Sequence, residues 1–224
     1  MAEVISLVLE ASTYAGSVAL IDGPRVLGEQ SVAMRGKEHE ALMSAVGALL
    51  DDCGVRPAGI ERIICGAGPG SFTSLRIAGA IAKGMCAALG VPLVPISSLA
   101  LLVGALPVRR PGHYLAAMDA MRGESYVQAF DIDAAQCIVV SGPQVVMSSD
   151  AVDQDAADRG AIAVGPGHSG ATLVVPHARA AAVLTNMIDS TAPANLAAWE
   201  PQYGRLAEAQ VKWESEHGRA LEAV

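Results

Sequence analysis

Apolar and polar positions alternate in short bursts at the start of the chain. Ile5 to Glu10 and Ser17 to Ile21 are β-prone runs joined through Ala11 to Gly16, and Asp22-Gly23-Pro24 turns the chain into a third run, Val26 to Val32. The pattern predicts an antiparallel meander. The period then changes: Leu42, Val46, Leu49 and Leu50 recur at helical spacing between Glu38 and Cys53, Ile60 to Cys65 reads as a strand entering a Gly-rich loop, and a long helix is predicted from Thr73 to Leu89. Val91 to Ile96 reads as a further strand, with Ser97 or Ser98 capping a helix that runs toward Leu106 and stops before Pro107. A meander followed by alternating helix and strand predicts an α/β fold.

Near Arg109-Arg110-Pro111-Gly112 the chain turns polar, and strands are predicted again at Leu115 to Asp119 and Ser125 to Asp131. The predicted division is therefore 1–108 and 109–224. Laying Leu7 to Asp22 over Ala116 to Asp131 places Glu10 on Asp119, Ala11 on Ala120, Val18 on Val127 and Asp22 on Asp131, and both acids end the first strand of a hairpin, as duplication requires. Beyond Pro143 the chain is rich in Ala and Asp. Helices are predicted at Ala151 to Arg159 and Arg179 to Asp189, with a strand at Ile162 to Val164.

Composition narrows the function. The 224 residues carry a net charge of −8, which argues against binding nucleic acid over the whole surface. Hydrophobic residues make up 52% and charged ones only 17%, excluding disorder and pointing to extra surface covered by a partner. Two Trp, four Tyr and two Phe are too few for a base-stacking platform on single-stranded RNA. Cys53, Cys65, Cys86 and Cys137 form no Cys-x-x-Cys and lie in apolar stretches, reading as small buried hydrophobes. The opening Met1-Ala2-Glu3 lacks the basic start of an export signal, and Pro92, Pro95 and Ser97-Ser98 cut the uncharged stretch Gly84 to Val108 into pieces too short to cross a bilayer. The expectation is a cytoplasmic protein with no membrane partner.

The stretch richest in chemistry is Gly66-Ala67-Gly68-Pro69-Gly70-Ser71-Phe72-Thr73-Ser74-Leu75-Arg76. Its glycines allow a tight turn after a strand, Ser71 or Thr73 is placed to cap the next helix, and such a helix start offers free N–H groups to an anion. It carries neither the Gly-Lys-Ser/Thr of a phosphate loop nor the third glycine of a dinucleotide loop. A capped structural turn and a ligand loop both remain open from the residues alone.

The string Gly68-Pro69-Gly70-Ser71-Phe72-Thr73, with Leu75-Arg76, Ala82-Lys83-Gly84 and Ser97-Ser98-Leu99, closely resembles the bacterial TsaB (YeaZ-like) family. The resemblance extends to Leu9-Glu10-Ala11-Ser12-Thr13, His39-Glu40, Asp119-Ala120 and Pro201-Gln202-Tyr203-Gly204-Arg205, and is weakest between Gln136 and Thr191. It implies an actin-like, ribonuclease-H-related fold in two lobes, the second reduced. It also implies a subunit supporting threonylcarbamoylation of the tRNA adenosine beside the anticodon, where the chemistry belongs to a larger TsaD transferase paralogue assisted by a TsaE ATPase. The subunit itself is expected to require no cofactor, with ATP or ADP and Mg entering only at the level of the complex. Two positions depart from the family pattern: Glu10 replaces the usual Asp, and Ser74 replaces the last glycine of the loop. In an actin-like ATPase the longer carboxylate would misplace the group that organises magnesium.

The candidate residues divide into two sets. Glu10, Ser12, Thr13, Gly68, Gly70, Ser71, Thr73 and Asp119 form a remnant nucleotide site, with Glu10 and Asp119 as facing carboxylates, or else are turn residues and strand-end acids that satisfy their own backbone N–H groups. Leu42, Ala45, Val46 and Leu49, with Ile77, Ala78, Ile81, Ala82 and Met85, form two smooth helix stripes; the resemblance implies that these helices dock on the paralogue or on a second copy, while the alternative is that both face only the sheet. No metal site is expected. His39, His113, His168, His177 and His217 include no pair one helical turn apart, which leaves a metallopeptidase a remote alternative. No side chain is assigned as catalytic; the main alternative is an actin-like nucleotide enzyme using Glu10 and Asp119. Arg109-Arg110 reads as a tRNA edge within the complex or a solvated loop; the segment Trp199 to Trp213 resembles the family's closing strip, which implies that Tyr203, Arg205 and Trp213 latch the tail onto the body, with Trp213 as a partner anchor the alternative.

Overall fold

The computed structural model describes residues 4–34, 41–166 and 174–203. The expected Glu38 helix start, His39-Glu40, His168, Arg205, Trp213 and His217 lie outside these residues.

The opening meander is β1 (Ile5–Glu10), β2 (Ala15–Asp22) and β3 (Arg25–Ala33), and it is followed by α1 (Ala41–Asp52), β4 (Arg62–Gly66), α2 (Phe72–Leu89), β5 (Leu93–Ile96) and α3 (Ser98–Gly104). Turn chemistry places the ends: Gly90 closes α2 in the left-handed conformation (φ 70°), and the Ser97 hydroxyl accepts from the Ala100 amide to start α3. The strands form one sheet in the order β3-β2-β1-β4-β5, antiparallel through the meander and parallel from β1 to β5.

The second half repeats this plan in shortened form. Strands β6 (Gly112–Asp119), β7 (Glu124–Ile132) and β8 (Ile138–Val140) make the meander, α4 (Val152–Asp158) follows, and β10 (Ile162–Val164) lies parallel to β6. Strand β9 (Val145–Ser148) pairs with the other end of β7. This is the actin-like, ribonuclease-H-related lobe twice over, the second copy lacking a counterpart of β5 among the described residues. Strands β8 and β9 had no clear sequence signal. The helix expected over Arg179 to Asp189 is a 3-10 segment, Ala178–Val183, followed by the short α5 (Thr185–Ser190). Crowding explains the tight winding: the Ala178 amide bonds the Ser17 hydroxyl of β2, and the segment presses close on Gly104 of α3.

The duplication also corrects the overlay. Leu9 pairs with Val18, and Ala117 with Val127; Leu7 and Leu9 face α1 and α2, as Leu115 and Ala117 face α4. Val18 therefore does match Val127, but along the first strands the alignment is off by one residue, so Glu10 corresponds to Met118 and not Asp119. A one-residue slip moves a side chain to the opposite face of a sheet.

Helix α3 binds the two sheets into one core. All seven of its residues are buried, and its leucines share a cluster with Val8, Ile21 and Ile64 of the first sheet and Tyr114, Met118 and Phe130 of the second. A second core lies on the other face of the first sheet, beneath α1 and α2. Leu42, Ala45, Val46, Leu49, Ala78 and Ala82 are all buried there, so the expected docking stripes are in fact internal, the reading that both stripes face the sheet being correct for these six. Ile77, Ile81 and Met85 are only half-buried at its margin. Helix α2 is, among the described residues, the one helix long and apolar enough to cross a membrane by length and composition, yet Leu75, Ala78, Ala82 and Cys86 are buried within the protein.

Ala82→Arg or Val46→Arg therefore introduces an unpaired charge into the core, and each is expected to lower stability by roughly 3–5 kcal/mol, whereas Ala80→Arg on the exposed side of α2 stays within about 0.5 kcal/mol. Urea denaturation followed by circular dichroism measures the difference.

Candidate functional site

The Gly-rich loop leaves the C-terminal end of β4 and enters α2, beside the hairpin between β1 and β2. Its backbone is tied to the surrounding chain by four bonds. The Ala67 amide donates to the Ile96 carbonyl (2.7 Å), the Ser98 amide to Gly68 (2.9 Å), the Ser71 amide to Ser12 (2.7 Å), and the Gln202 amide to Ala67 (2.7 Å). Two glycines show why side chains are excluded. Gly68 (φ +89°) sits where a Cβ would strike the Gln202 carbonyl, and Gly70 (φ +157°) where one would strike the carbonyl of Ser12. The carbonyls of Gln202 and Ser12 thus lie against the loop at Gly68 and Gly70.

Glu10 lies at the centre, fully buried. One carboxylate oxygen accepts the Ser12 amide at 2.5 Å and the other accepts the Ser98 hydroxyl at 2.9 Å, while the same hydroxyl receives the Gly68 amide at 3.2 Å. One side chain thus ties together the hairpin, the loop and the first turn of α3. Removal from water raises the Glu10 pKa, and the bonds from Ser12 and Ser98 offset only part of that rise.

The remaining predicted residues fall into place around this network. Thr13 Oγ1 accepts from the Ala15 amide and donates to the Ala15 carbonyl, the behaviour of a turn residue. Ser71 Oγ donates to Ser74 Oγ rather than to a backbone cap, and Thr73 is exposed. Asp119 does not face Glu10. It lies on the alternate face of β6, exposed, and accepts the Met121 amide at 2.7 Å. Both strand-end acids therefore do what turn acids do, each accepting the N–H two residues on, and the facing pair is not formed. Burial pushes the Cys86 thiol up to about 11 and raises that of Cys65 as well, so neither is a ready nucleophile near neutral pH. Among the described residues no three His, Cys, Asp or Glu side chains gather as metal ligands. His113 pairs with Asp131, and His177 with Ser31.

Two features go beyond the sequence reading, one of them in part. Residues 194–203 form a strap across the first sheet: the Ala194 amide bonds the Leu93 carbonyl, Lys83 donates to the Trp199 carbonyl, Pro201 and Trp199 cover Gly79, and Tyr203 stacks on Phe72 with ring centroids 4.5 Å apart. Tyr126 of the second sheet donates to the Tyr203 carbonyl. The closing strip was expected from Trp199 onward; its start at Ala194 was not, because there the contact is a backbone bond that leaves no trace in residue type. Beside the loop, a hollow of about 310 Å³ opens between the sheets, lined by Ala67 and Gly68 of the loop and by Ser97, Gln128, Gln144 and Gln202. Gln128 and Gln144 belong to no motif, Gln202 lies in the Pro201-Gln202-Tyr203 string, and only the fold brings the three together.

The burial of Glu10 has a pH signature. Its folded pKa lies above the ordinary 4.5, so its contribution to stability is fully present below that value and is lost as pH rises through the folded pKa. Glu10→Gln, neutral at every pH, is expected to lessen that loss, so that the wild type and the variant diverge as pH rises. Urea midpoints measured across a pH series test the difference between the two proteins.

Known proteins share this architecture. The profile of the family described as "TsaD: tRNA N6-adenosine threonylcarbamoyltransferase" matches residues 33–163, more than half of the chain. The tRNA threonylcarbamoyladenosine biosynthesis protein TsaB of Bacillus subtilis is 30% identical over 144 residues, covering 64% of this chain and 62% of that one. The protein of the same name from Escherichia coli is 32% identical over 129 residues, covering 57% and 55%. The matches thus span less than two thirds of the length of these two relatives. The solved structure of YeaZ from Pseudomonas aeruginosa superimposes with a TM-score of 0.73 at 26% identity, over 89% of this chain and 99% of that one. With the two-lobed fold, the Gly-Pro-Gly-Ser-Phe-Thr loop and these relatives in agreement, the chain belongs to the TsaB (YeaZ-like) family, within the wider group that shares the TsaD-type domain.

Proposed function

We propose that the chain is a non-catalytic scaffold subunit that docks on a TsaD-like transferase paralogue and, together with a TsaE-like ATPase, supports threonylcarbamoylation of the tRNA adenosine adjacent to the anticodon. The reaction takes place in the cytoplasm, the tRNA is engaged through the complex, and any ATP, ADP or Mg acts at the level of the complex. The observation that carries this reading is the closed loop. Glu10 is sealed from water and committed to Ser12 and Ser98, and the backbone of Ser12 and Gln202 lies hard against the glycines of the loop. The names of the relatives, tRNA threonylcarbamoyladenosine biosynthesis proteins, supply the pathway.

The docking surface is not the buried stripes but the opposite sides of the same helices. On α1 the exposed positions include Met43, Gly47 and Ala48; on α2 they include Ala80 and Gly84, with Ile77, Ile81 and Met85 half-exposed beside them. Small side chains let a partner helix approach closely, and the larger apolar ones add contact area. The same surface serves a homodimer when the paralogue is absent, since a face shaped to meet a related chain also meets a copy of itself.

Ala48→Arg and Ala80→Arg place charge on this surface without entering the core, and each is expected to weaken association with the paralogue roughly a hundredfold, with loss of stimulated transfer and little change in thermal unfolding. Calorimetric titration against the purified paralogue measures it; wild-type affinity in both variants moves the interface elsewhere. The isolated chain titrated with ATP and Mg is expected to give no saturable heat.

A further inference from the structure

A second hollow, of about 280 Å³, lies on the first half away from the Gly-rich loop, where the β2–β3 turn meets the end of α3 and the 3-10 segment. Pro24, Val26, Leu106 and Val183 give it apolar walls, and Arg109 and Arg179 supply two guanidinium groups. Among the described residues no acidic side chain lines it. Both arginines line one hollow in a chain of net charge −8, and each also has a partner in the fold, Arg109 in the carbonyls at the end of α3 and Arg179 in the Glu29 carboxylate.

Their geometry is fixed. Arg109 Nη1 donates to the carbonyls of Gly104 (3.2 Å) and Leu106 (3.3 Å), which orients the guanidinium, while its buried Nε–H has no partner. Being buried, that Nε–H is closed to a ligand in the hollow, so the guanidinium meets one through its Nη groups. Arg179 is half-exposed and donates to Glu29 at 3.1 Å; Glu29 is the one carboxylate bound to either arginine among the described residues, so the hollow keeps an uncompensated positive charge. Planar guanidinium forks match the oxygens of phosphate in pairs.

We infer that this hollow is an oxyanion site that takes a phosphoryl group, with Arg109 and Arg179 as its donors. The group comes either from a free phosphate or phosphate monoester or from a phosphodiester of RNA. The site rests on the chemistry of the hollow alone and stands or falls independently of docking on a paralogue.

The test is a nuclear magnetic resonance titration of the isotope-labelled full chain with inorganic phosphate, and in a second arm with an RNA hairpin. Saturable shifts are expected, centred on the amides of Gly104 to Arg109 and Arg179 to Val183. Arg179→Gln, at a half-exposed position, is expected to keep the fold and weaken phosphate about tenfold. Arg109→Gln is expected to weaken it at least as much. Glu29→Gln breaks the same ion pair but leaves the guanidinium in place, and is expected to bind phosphate as tightly as the wild type or more tightly, which separates anion binding from loss of the ion pair. Shifts by the RNA hairpin at the same amides, reversed by phosphate, identify the phosphodiester source; shifts by phosphate alone identify the small anion. No saturable shift with phosphate, or binding unchanged by Arg179→Gln, overturns the assignment.

Discussion

A carboxylate without water is the constraint around which this chain is organised. Glu10 ends β1 inside the protein, and burying its charge is costly unless hydrogen bonds surround it. The Ser12 amide and the Ser98 hydroxyl supply them, which obliges the β1–β2 hairpin and the start of α3 to stay in place. The Gly-rich loop must then pass close by, with glycine where the carbonyls of Gln202 and Ser12 approach. Because α3 is wholly buried between the two sheets, whatever fixes its first turn also fixes how the second sheet meets the first.

Much of the fold was legible because period and punctuation agree with it. The meander through Asp22-Gly23-Pro24, the strand before Gly66 and the serine cap before α3 are each set by nearest neighbours in sequence, and each lies within a few residues of its expected place. The 3-10 segment at Ala178–Val183 was misread as α-helix because alanine favours helix wherever it stands, while the contacts that tighten it, Ser17 and Gly104, are distant in sequence. Short β8 and β9 exist mainly because β7 offers them an edge.

The candidate site was legible as a place but not as a state. Loop, hairpin and Ser98 were all marked by the family string, and they do converge; that the loop is also tied to the late part of the chain depends on Gln202, more than a hundred residues further on. The helix stripes were read with the correct period, but Leu42, Val46 and Ala82 serve the sheet, the alternative kept open for them, while Ile77, Ile81 and Met85 stay half-exposed and Ala48, Ala80 and Gly84 face outward. An amphipathic pattern locates the greasier face of a helix, and in a helix whose other face is also made of small residues the pattern says little about what a neighbouring molecule meets. The Glu10 and Asp119 pairing failed for a simpler reason: strand duplicates diverge by single insertions, and a side chain changes face with each one.

The strap at 194–203 has a bearing on biosynthesis. Leu93, Lys83 and Ala67, all in the first half, await partners that emerge from the ribosome about a hundred residues later. During translation the first sheet can pair its strands and gather α1 and α2, yet Phe72 and the loop stay uncovered until Tyr203 has been made. The maturing polypeptide therefore passes through an interval in which the loop is open to the surroundings, and closure of the molecule is timed by the synthesis of its late residues and not by the folding of its early ones.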